Sequence, residues 1–570
     1  MTLRLFALFF VALAACADNQ LLREFHADRQ LLHRFFDSDL SADSAMRIGD
    51  FYQTQLLALQ KQPFADLDRS GQVDFLLLQN HLRQRLFFLQ KDATYRDLDA
   101  EFLPFVAPIL ALELARQKME PLVEADAAAA LSEIATGLET LRETVDKRLG
   151  EQKEDSGIEQ LPPEQAQRLA QRTQRCKQKL EHWYKQYAGY RPGFAWWMKK
   201  PYEAASKALD EYAKVLREKG AGIKEDADAP LIGQAVGPDT LAAMIGFEML
   251  PYSAEELLAI GEKEFAWCED RMEEAAQTMG LTDRFAALEA VKKKHVAPGK
   301  QDELVAQYAH EAAAFVEEND LVTVPPLCKE LWDVRMIAPE NLDRLPYALY
   351  RGNSVVVAFA ADVLEHEEKL MSMRGNNLHA TRIVTAHEVI PGHHLQIFYG
   401  SRYRTDRHIF RTPFYVEGWS LYWEMLLWDK GFARGPEDEI GMLFWRMHRC
   451  ARIIVTLKFH LGQMAPEEMV TFLIDQVGHE EEPAKSEVRR FIGPGWGVLY
   501  QAGYMLGGLQ IRALQRELVP ETMSMREFHD AILRQGPIPI EMLRAQLTDG
   551  PLSAEFAPSW QFYEAAASAP

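Results

Sequence analysis

Hydrophobic residues recur along most of the chain at steps of three and four, the spacing of one face of an α-helix. After Pro121 the apolar positions run at this period from Leu131 to Leu149, with charged residues between them. Ser253 and Glu256 have the spacing of a helix-capping box and precede a further apolar stripe. Such segments far outnumber candidate strands, so the pattern predicts a mainly α-helical protein.

One short segment instead favours a β-strand. Ser354–Phe359 is rich in β-branched residues and follows the turn-prone pair Gly352-Asn353. It precedes the histidine-rich motif that begins at His387. We therefore expect a small β element near the functional site, either as an edge strand that could pair with an extended peptide or as a short buried strand.

Breaks in the helical pattern suggest how the chain is organised. The stretches Gly150–Pro163 and Gly220–Pro238 are rich in glycine, proline or charge and are typical of surface loops. We predict one large domain of two lobes over residues 16–550, with a catalytic core at about 340–515. Residues 551–570 have little periodicity and are predicted to form a C-terminal tail.

The first fifteen residues predict export. Arg4 is followed by an apolar run from Leu5 to Leu13, which is too short to span a membrane as a helix. The run ends in Leu-Ala-Ala-Cys16, the pattern of a bacterial lipobox in which the cysteine is acylated; an ordinary secretory signal is the alternative. Ala17 follows the cysteine instead of aspartate, which favours an outer-membrane lipoprotein facing the periplasm.

Composition narrows the set of partners. The formal net charge of −21 argues against nucleic acid as a partner and gives no support to electrostatic attachment to anionic lipid. The hydrophobic content of 48% is ordinary for a globular protein. The remaining cysteines are widely spaced, so we expect buried small side chains and leave any disulfide pairing open: Cys176, Cys268, Cys328 and Cys450.

The strongest chemical signal is the motif HEVIPGHH, which runs from His387 to His394. In the short zinc-peptidase signature, two histidines four residues apart share one helix face, with a glutamate beside the first. Here the fourth position is Pro391, which cannot continue a regular helix. Three of the sixteen histidines of the chain nevertheless fall within eight residues, a density that indicates a metal site.

Two histidines compete for the place of the second ligand. His394 lies seven residues after His387, about 10.5 Å along a regular helix, which is too far for two zinc bonds of about 2 Å each. His393 requires residues to bulge out of the helix, and the breaker Pro391 and the flexible Gly392 stand where this is needed. We therefore favour His393 and keep His394 as the alternative.

The remaining groups of the predicted site follow later in the chain. Glu417 opens a helical stretch and is the candidate third ligand, and Glu424 could orient a zinc-bound imidazole. Two imidazoles and one carboxylate leave a position open for water on a single Zn²⁺, and Glu388 would serve as general base in hydrolysis of an amide. Tyr500 and Tyr504 share a helix face and are candidate oxyanion donors or, alternatively, ordinary packing residues.

At these residues the chain resembles the bacterial domain-of-unknown-function 885 family. The resemblance rests on HEVIPGHHLQ from His387, on YVEGWSLYWE from Tyr415, and on a tyrosine-containing helix that ends at Arg512, and it extends to the segment from Tyr252. It implies a gluzincin-type zinc metallopeptidase, mainly helical, with a deep cleft between two lobes. In such enzymes a Gly-His pair completes the zinc motif, which supports His393, and a late tyrosine acts on the oxyanion, which favours Tyr504 and then Tyr500.

The chain also departs from the family pattern. The sequence Arg490-Phe491 stands where Arg-Tyr is common, and PGWG from Pro494 replaces Pro-Gly-Gln-Ala. Thr456 and Lys458 replace an aspartate and a glycine that are expected before His460. The predicted zinc ligands are intact, so these changes bear on substrate preference.

We therefore expect zinc-dependent hydrolysis of short peptides in the cell envelope by a lipid-anchored enzyme. One alternative is an envelope lipoprotein that retains the metal site as a binding module. Another is hydrolysis of a different amide, such as a peptidoglycan stem peptide. The sequence does not indicate an oligomeric state.

Overall fold

Helices make up most of the structure, a computed structural model that describes residues 20–150, 161–224, 230–342, 345–493 and 495–563. The first helices are α1 (Gln20–Phe35), α2 (Ala42–Leu59), α3 (Arg69–Asp99), α4 (Val106–Gln117), α5 (Glu124–Gly150), α6 (Pro163–Tyr187) and α7 (Pro192–Val215). They are followed by α8 (Pro238–Phe247), α9 (Ala254–Thr278), α10 (Arg284–Lys292), α11 (Gln301–Glu318) and α12 (Pro326–Glu330). The predicted mainly α-helical class is confirmed.

Three short strands come next in the chain, and they are followed by the helices that carry the motif residues. The strands are β1 (Asp333–Met336), β2 (Ala348–Arg351) and β3 (Ser354–Val357). The later helices are α13 (His366–Gly375), α14 (Leu378–Glu388), α15 (His393–Gly400), α16 (Pro413–Asp429), α17 (Pro436–His460), α18 (Pro466–Phe472), α19 (Glu481–Ile492), α20 (Tyr500–Leu518), α21 (Met525–Leu533) and α22 (Ile540–Leu547).

Local signals in the sequence set several helix boundaries. The Ser253 hydroxyl accepts a hydrogen bond from the Glu256 amide at 3.2 Å, and the Glu256 carboxylate accepts one from the Ser253 amide at 2.7 Å. This reciprocal capping box begins α9 as predicted. The predicted loop at 150–163 separates α5 from α6, and the loop at 220–238 precedes α8, although both lie partly outside the described residues.

The small sheet has the order β1-β3-β2. β3 pairs in parallel with β1, from Asp333 opposite Ser354, and antiparallel with β2, from Ala348 opposite Val357. The segment at Ser354 is therefore the central strand and is mostly buried, so of the two expectations the short buried strand is confirmed and the edge strand is wrong. Both of its sides are already hydrogen-bonded, so a peptide cannot pair with it.

The described chain divides into two compact units. The larger unit contains residues 20–26, 62–81 and the described residues from 233 onward. The smaller unit contains residues 27–61 and the described residues of 82–232. The smaller unit has its own hydrophobic core, in which Leu131, Leu169 and Trp183 are almost fully buried.

In the larger unit, α16 and α20 are in unusually close contact. A Cβ at Gly507 would lie 2.0 Å from the Phe414 carbonyl oxygen, and one at Gly418 would lie 2.6 Å from the backbone of Gly507. Only glycine fits where two helix backbones approach this closely. The contact holds Glu417 on α16 near Tyr500 at the start of α20.

The remaining predictions concern the chain ends and the cysteines. In the tail, Phe562 is fully buried and its ring lies 5.0 Å from that of Tyr252. The four later cysteines are buried and free. None of the helices in the described part of the chain combines the length and hydropathy that a membrane span requires. The predicted leader and Cys16 lie outside the described residues.

Candidate metal centre

The two key histidines of the motif stand on separate helices. Helix α14 ends at Glu388, one residue after His387, and α15 begins at His393. Proline cannot donate a backbone hydrogen bond, and it disfavours the helical conformation in the residue before it. The chain therefore leaves the helix completely between the two histidines, instead of bulging out of one continuous helix as we expected.

Gly392 allows the chain to pass close to the end of α14. A Cβ at this position would lie 1.7 Å from the His387 carbonyl oxygen, so no other residue fits. The Gly392 amide donates to the Ala386 carbonyl at 3.1 Å, and the Trp419 indole donates to the Pro391 carbonyl at 2.9 Å. These bonds hold the segment between α14 and α15 against α14 on one side and α16 on the other.

The break brings three predicted ligands together. Ligand atoms of His387, His393 and Glu417 all lie within 4.8 Å of one another. The nearer carboxylate oxygen of Glu417 is 3.2 Å from His393 Nε2 and 3.6 Å from His387 Nε2. The ligand atoms of tetrahedral zinc, with bonds of 2.0 to 2.2 Å, stand roughly 3.3 Å apart. The donor types and their spacing therefore fit a zinc ion.

His394 takes no part in this cluster. Its Nδ1 lies 2.7 Å from the Tyr350 hydroxyl, and its Nε2 lies 2.7 Å from the Cys328 carbonyl oxygen. Both ring nitrogens are thus engaged by groups on β2 and α12. Between the two neighbouring histidines, the structure places His393, and not His394, beside His387 and Glu417.

Two further side chains of α16 orient the imidazoles. Glu424 Oε1 lies 2.6 Å from His387 Nδ1, and the Ser420 hydroxyl lies 3.3 Å from His393 Nδ1. Glu417, Ser420 and Glu424 occupy one helix face at steps of three and four. With each Nδ1 engaged, both Nε2 atoms face Glu417. Ser420 is not among the residues predicted from the sequence, although its spacing of three residues from Glu417 places it on the same helix face.

Glu388 is a buried carboxylate at the end of α14. It is 7% exposed, and its Oε2 has no hydrogen-bond partner among the described residues. The side chain borders a cavity of about 10 Å³ that is also lined by Thr385 and Trp445. A cavity of this size holds about one water molecule, and an unpaired buried carboxylate oxygen is costly. The unpaired oxygen can therefore accept a hydrogen bond or a proton from a water in this cavity.

The two candidate tyrosines occupy different places. The Tyr500 hydroxyl donates a hydrogen bond to Glu417 Oε1 and so reaches the cluster. The Tyr504 ring lies nearly parallel to the His387 ring at 6.0 Å, and the guanidinium groups of Arg449 and Arg452 cover it at 4.8 and 4.4 Å. Geometry therefore favours Tyr500 over Tyr504 as the hydroxyl donor at the site, the reverse of the order expected from the family.

The charges of the cluster are strongly coupled. Burial opposes protonation of His387, but the Glu417 and Glu424 carboxylates outweigh it and raise the pKa of this histidine to about 9. Burial would raise the pKa of Glu417, yet His393 and His387 hold it well below its usual range. Glu417 is therefore a carboxylate, the form that binds a cation.

Two solved structures share this fold. A candidate lipoprotein of unknown function from Shewanella oneidensis has a TM-score of 0.67 at 17% identity, covering 93% of this chain and 99% of its own. A candidate lipoprotein from Colwellia psychrerythraea has a TM-score of 0.57 at 14% identity, covering 90% and 91% respectively. At these identities the likeness establishes the fold alone.

A family assignment comes from the sequence match. No curated protein matches the chain. The family described as "Bacterial protein of unknown function (DUF885)" matches residues 34–547, which include every member of the cluster. The chain therefore belongs to the DUF885 family of bacterial proteins of unknown function.

Proposed function

We propose that this protein is a gluzincin-type zinc metallopeptidase that hydrolyses peptide bonds in short peptides. The observation that carries the proposal is the buried cluster of His387, His393 and Glu417, whose ligand atoms lie within 4.8 Å of one another. Two imidazoles and one carboxylate are a ligand set of catalytic zinc sites, whereas structural sites are closed by four protein ligands. The adjoining Glu388 supplies the group that such a hydrolysis needs.

The ligand residues would hold one zinc ion. When bound, zinc makes water more acidic and polarises a substrate carbonyl. Glu424 fixes the orientation of His387 through its 2.6 Å contact with Nδ1, and Ser420 does the same for His393. These contacts keep both Nε2 lone pairs directed at the metal position.

The proton transfers are assigned to Glu388. Its unpartnered Oε2 is free to accept a proton from the attacking water and to return it to the leaving amine. The side chain is only 7% exposed, so bulk water is largely excluded from the group that would carry the proton.

The developing oxyanion would be stabilised by Tyr500. Burial raises the pKa of this phenol, and the neighbouring Glu417 carboxylate raises it further, so it retains its proton. A protonated hydroxyl at the cluster can move its hydrogen bond from Glu417 to an oxygen that gains negative charge. Tyr504 supports the ring of His387 from one face.

The cell envelope is the proposed location. The lipobox-like sequence that ends at Cys16 agrees with the description of both similar structures as candidate lipoproteins. Attachment to the periplasmic face of the outer membrane, through an acyl group on Cys16, is the arrangement that we propose.

The test compares wild type with Glu388→Gln in a peptide-library digest, after metal analysis of both proteins. We expect about one zinc per chain in each, and a fall in cleavage of about 10² to 10⁴-fold in the variant, because proton transfer is lost while the ligands remain. Glu318→Gln, at an exposed position of α11, is the matched control.

Two results would contradict the proposal. Undiminished cleavage by purified Glu388→Gln protein would exclude this residue as the base. Zinc binding without cleavage of any peptide, including peptidoglycan stem peptides, would leave a metal-containing binding module instead of a peptidase.

A further inference from the structure

One segment of the smaller unit is basic, although the chain as a whole is acidic. From His182 to Tyr202 the sequence contains no aspartate or glutamate, whereas the whole chain has a net charge of −21. The same segment contains four basic residues: Lys185, Arg191, Lys199 and Lys200. The overall charge balance thus conceals a basic region.

The same segment exposes aromatic side chains. Tyr190 is 88% exposed, Trp196 is 84% exposed and Trp197 is 49% exposed. Large aromatic rings normally bury most of their surface in folded proteins. Exposed aromatic rings gathered within eight residues of one another point to an interaction site.

The segment is held firmly by the side chains on its other face. Pro192 begins α7, and both Phe194 and Met198 are fully buried in the core of the smaller unit. Trp196 and Lys200 are four residues apart on this helix and so share its exposed side. The aromatic and basic groups are therefore presented together by an ordered helix end.

The positive charges of Lys199 and Lys200 are not paired with acidic side chains in the described part of the chain. Arg191 forms an ion pair with Glu124 at 3.0 Å, and Lys185 forms one with Glu181. Lys199 and Lys200 are exposed, and neither has an ion pair with any residue in the described part of the chain. Two positive charges therefore stand beside the exposed rings.

We propose that residues 190–200, here called the aromatic-basic tip, bind the headgroup region of an anionic lipid bilayer. Tryptophan and tyrosine favour the membrane interface, where the ring contacts acyl chains and the polar atom stays hydrated. Lysines beside them are attracted to anionic headgroups. Protein interfaces, by contrast, are depleted in lysine, so the combination fits a lipid surface better than a protein partner.

This binding would act together with the predicted acyl group on Cys16. A lipid on Cys16 would attach the start of the mature chain to the membrane, and the aromatic-basic tip would add a second point of contact. Binding through the aromatic-basic tip would also fix how the smaller unit faces the membrane. The inference does not depend on the proposed peptidase activity.

The test uses the chain from Ala17 to Pro570, which keeps every described residue and removes the predicted leader and Cys16. Sedimentation is measured with vesicles of phosphatidylethanolamine and phosphatidylglycerol, and with vesicles of phosphatidylcholine alone. We expect binding to the anionic vesicles and at least about tenfold weaker binding to the neutral ones.

Two double variants locate the binding surface. Trp196→Ala with Trp197→Ala, and Lys199→Gln with Lys200→Gln, should each weaken binding to anionic vesicles by about tenfold or more. The controls are Met119→Ala, which removes another highly exposed apolar side chain, and Lys207→Gln, further along α7; both should bind within about twofold of wild type. Circular dichroism and thermal melting establish that each variant is folded.

Three outcomes would overturn the inference. The first is a wild-type chain that does not bind anionic vesicles. The second is a folded double variant that binds them as well as wild type does. The third is binding of the aromatic-basic tip to an envelope protein in the absence of lipid, because the surface would then recognise protein.

Discussion

At the scale of single residues, the candidate site depends on neighbours with different roles. His393 and His394 are adjacent, yet only the first has a ring nitrogen beside Glu417. His394 instead joins Tyr350 on β2 to the Cys328 carbonyl on α12. The side chains of these consecutive residues therefore point in different directions, His393 toward the candidate metal centre and His394 toward β2 and α12.

This contrast predicts the behaviour of two neighbouring variants. His393→Ala should lose stoichiometric zinc, because it removes one of three protein ligands, whereas His394→Ala should retain about one zinc per chain while losing some stability. Metal content after gel filtration, measured by atomic spectroscopy, checks both. Equal loss of zinc from the two proteins would contradict the ligand assignment.

Glu424 provides a second test at this scale. Glu424→Gln should weaken zinc affinity about 10- to 100-fold, because the amide holds His387 Nδ1 less strongly than the carboxylate does. Competition with a chromophoric chelator measures the effect. Glu318→Gln, remote and exposed, should leave the affinity unchanged, and an unchanged affinity in Glu424→Gln would show that this carboxylate does not support the metal.

At the scale of elements, the sequence predicted where helices form better than it predicted how distant segments pair. The capping box at Ser253 and the helical period after Pro121 depend on neighbours in the chain, and both predictions are confirmed. The position of Ser354 in the middle of the sheet depends on β1 and β2, which have weak signals of their own. Pairing between distant segments is not encoded in a local pattern, so the sequence left open whether this strand lies at the edge or in the middle of the sheet.

The same limit applies to the site. The motif and its spacing favoured the three residues that cluster, with His394 kept as the alternative to His393. Ser420 and the roles of Tyr500 and Tyr504 depend on how α16 meets α20, a contact set by Gly418 and Gly507 that no periodicity shows. The positions of these three side chains therefore depend on tertiary packing, which the motif does not encode.

The close contact of α16 and α20 gives a prediction for this scale. Gly507→Ala should lower the free energy of unfolding by about 2 to 4 kcal/mol, because its Cβ would overlap the Phe414 carbonyl and push the helices apart. Gly137→Ala, in α5 with no atom near its Cβ, should instead stabilise by about 0.5 to 1 kcal/mol. Urea unfolding measures both, and equal effects would contradict the packing argument.

At the scale of the whole molecule, buried histidines outside the cluster make stability depend on pH. Burial lowers the pKa of His460 to about 4, and of His479 and His529 to about 3. These groups are neutral in the folded protein near pH 6 but take up protons when the chain unfolds. The free energy of unfolding should therefore fall as the pH drops below about 6.5.

His460 offers the clearest test, because neither of its ring nitrogens has a hydrogen-bond partner among the described residues. Its folded pKa lies below its unfolded value, so its contribution is complete above pH 6.5 and is lost toward pH 4. His460→Leu should remove about 2 kcal/mol of the stability that is lost between pH 7 and pH 5. Unfolding at pH 7 and pH 5 measures it, and an unchanged difference would contradict the assignment.

The break between α14 and α15 also bears on how such sites are found in sequences. A search for two histidines four residues apart passes over this protein, since the second histidine is six residues from the first. The glycine before that histidine is required by the approach of its backbone to the His387 carbonyl. A pattern of His-Glu, two arbitrary residues and Pro-Gly-His would therefore retrieve chains in which two helices, and not one, supply the imidazoles.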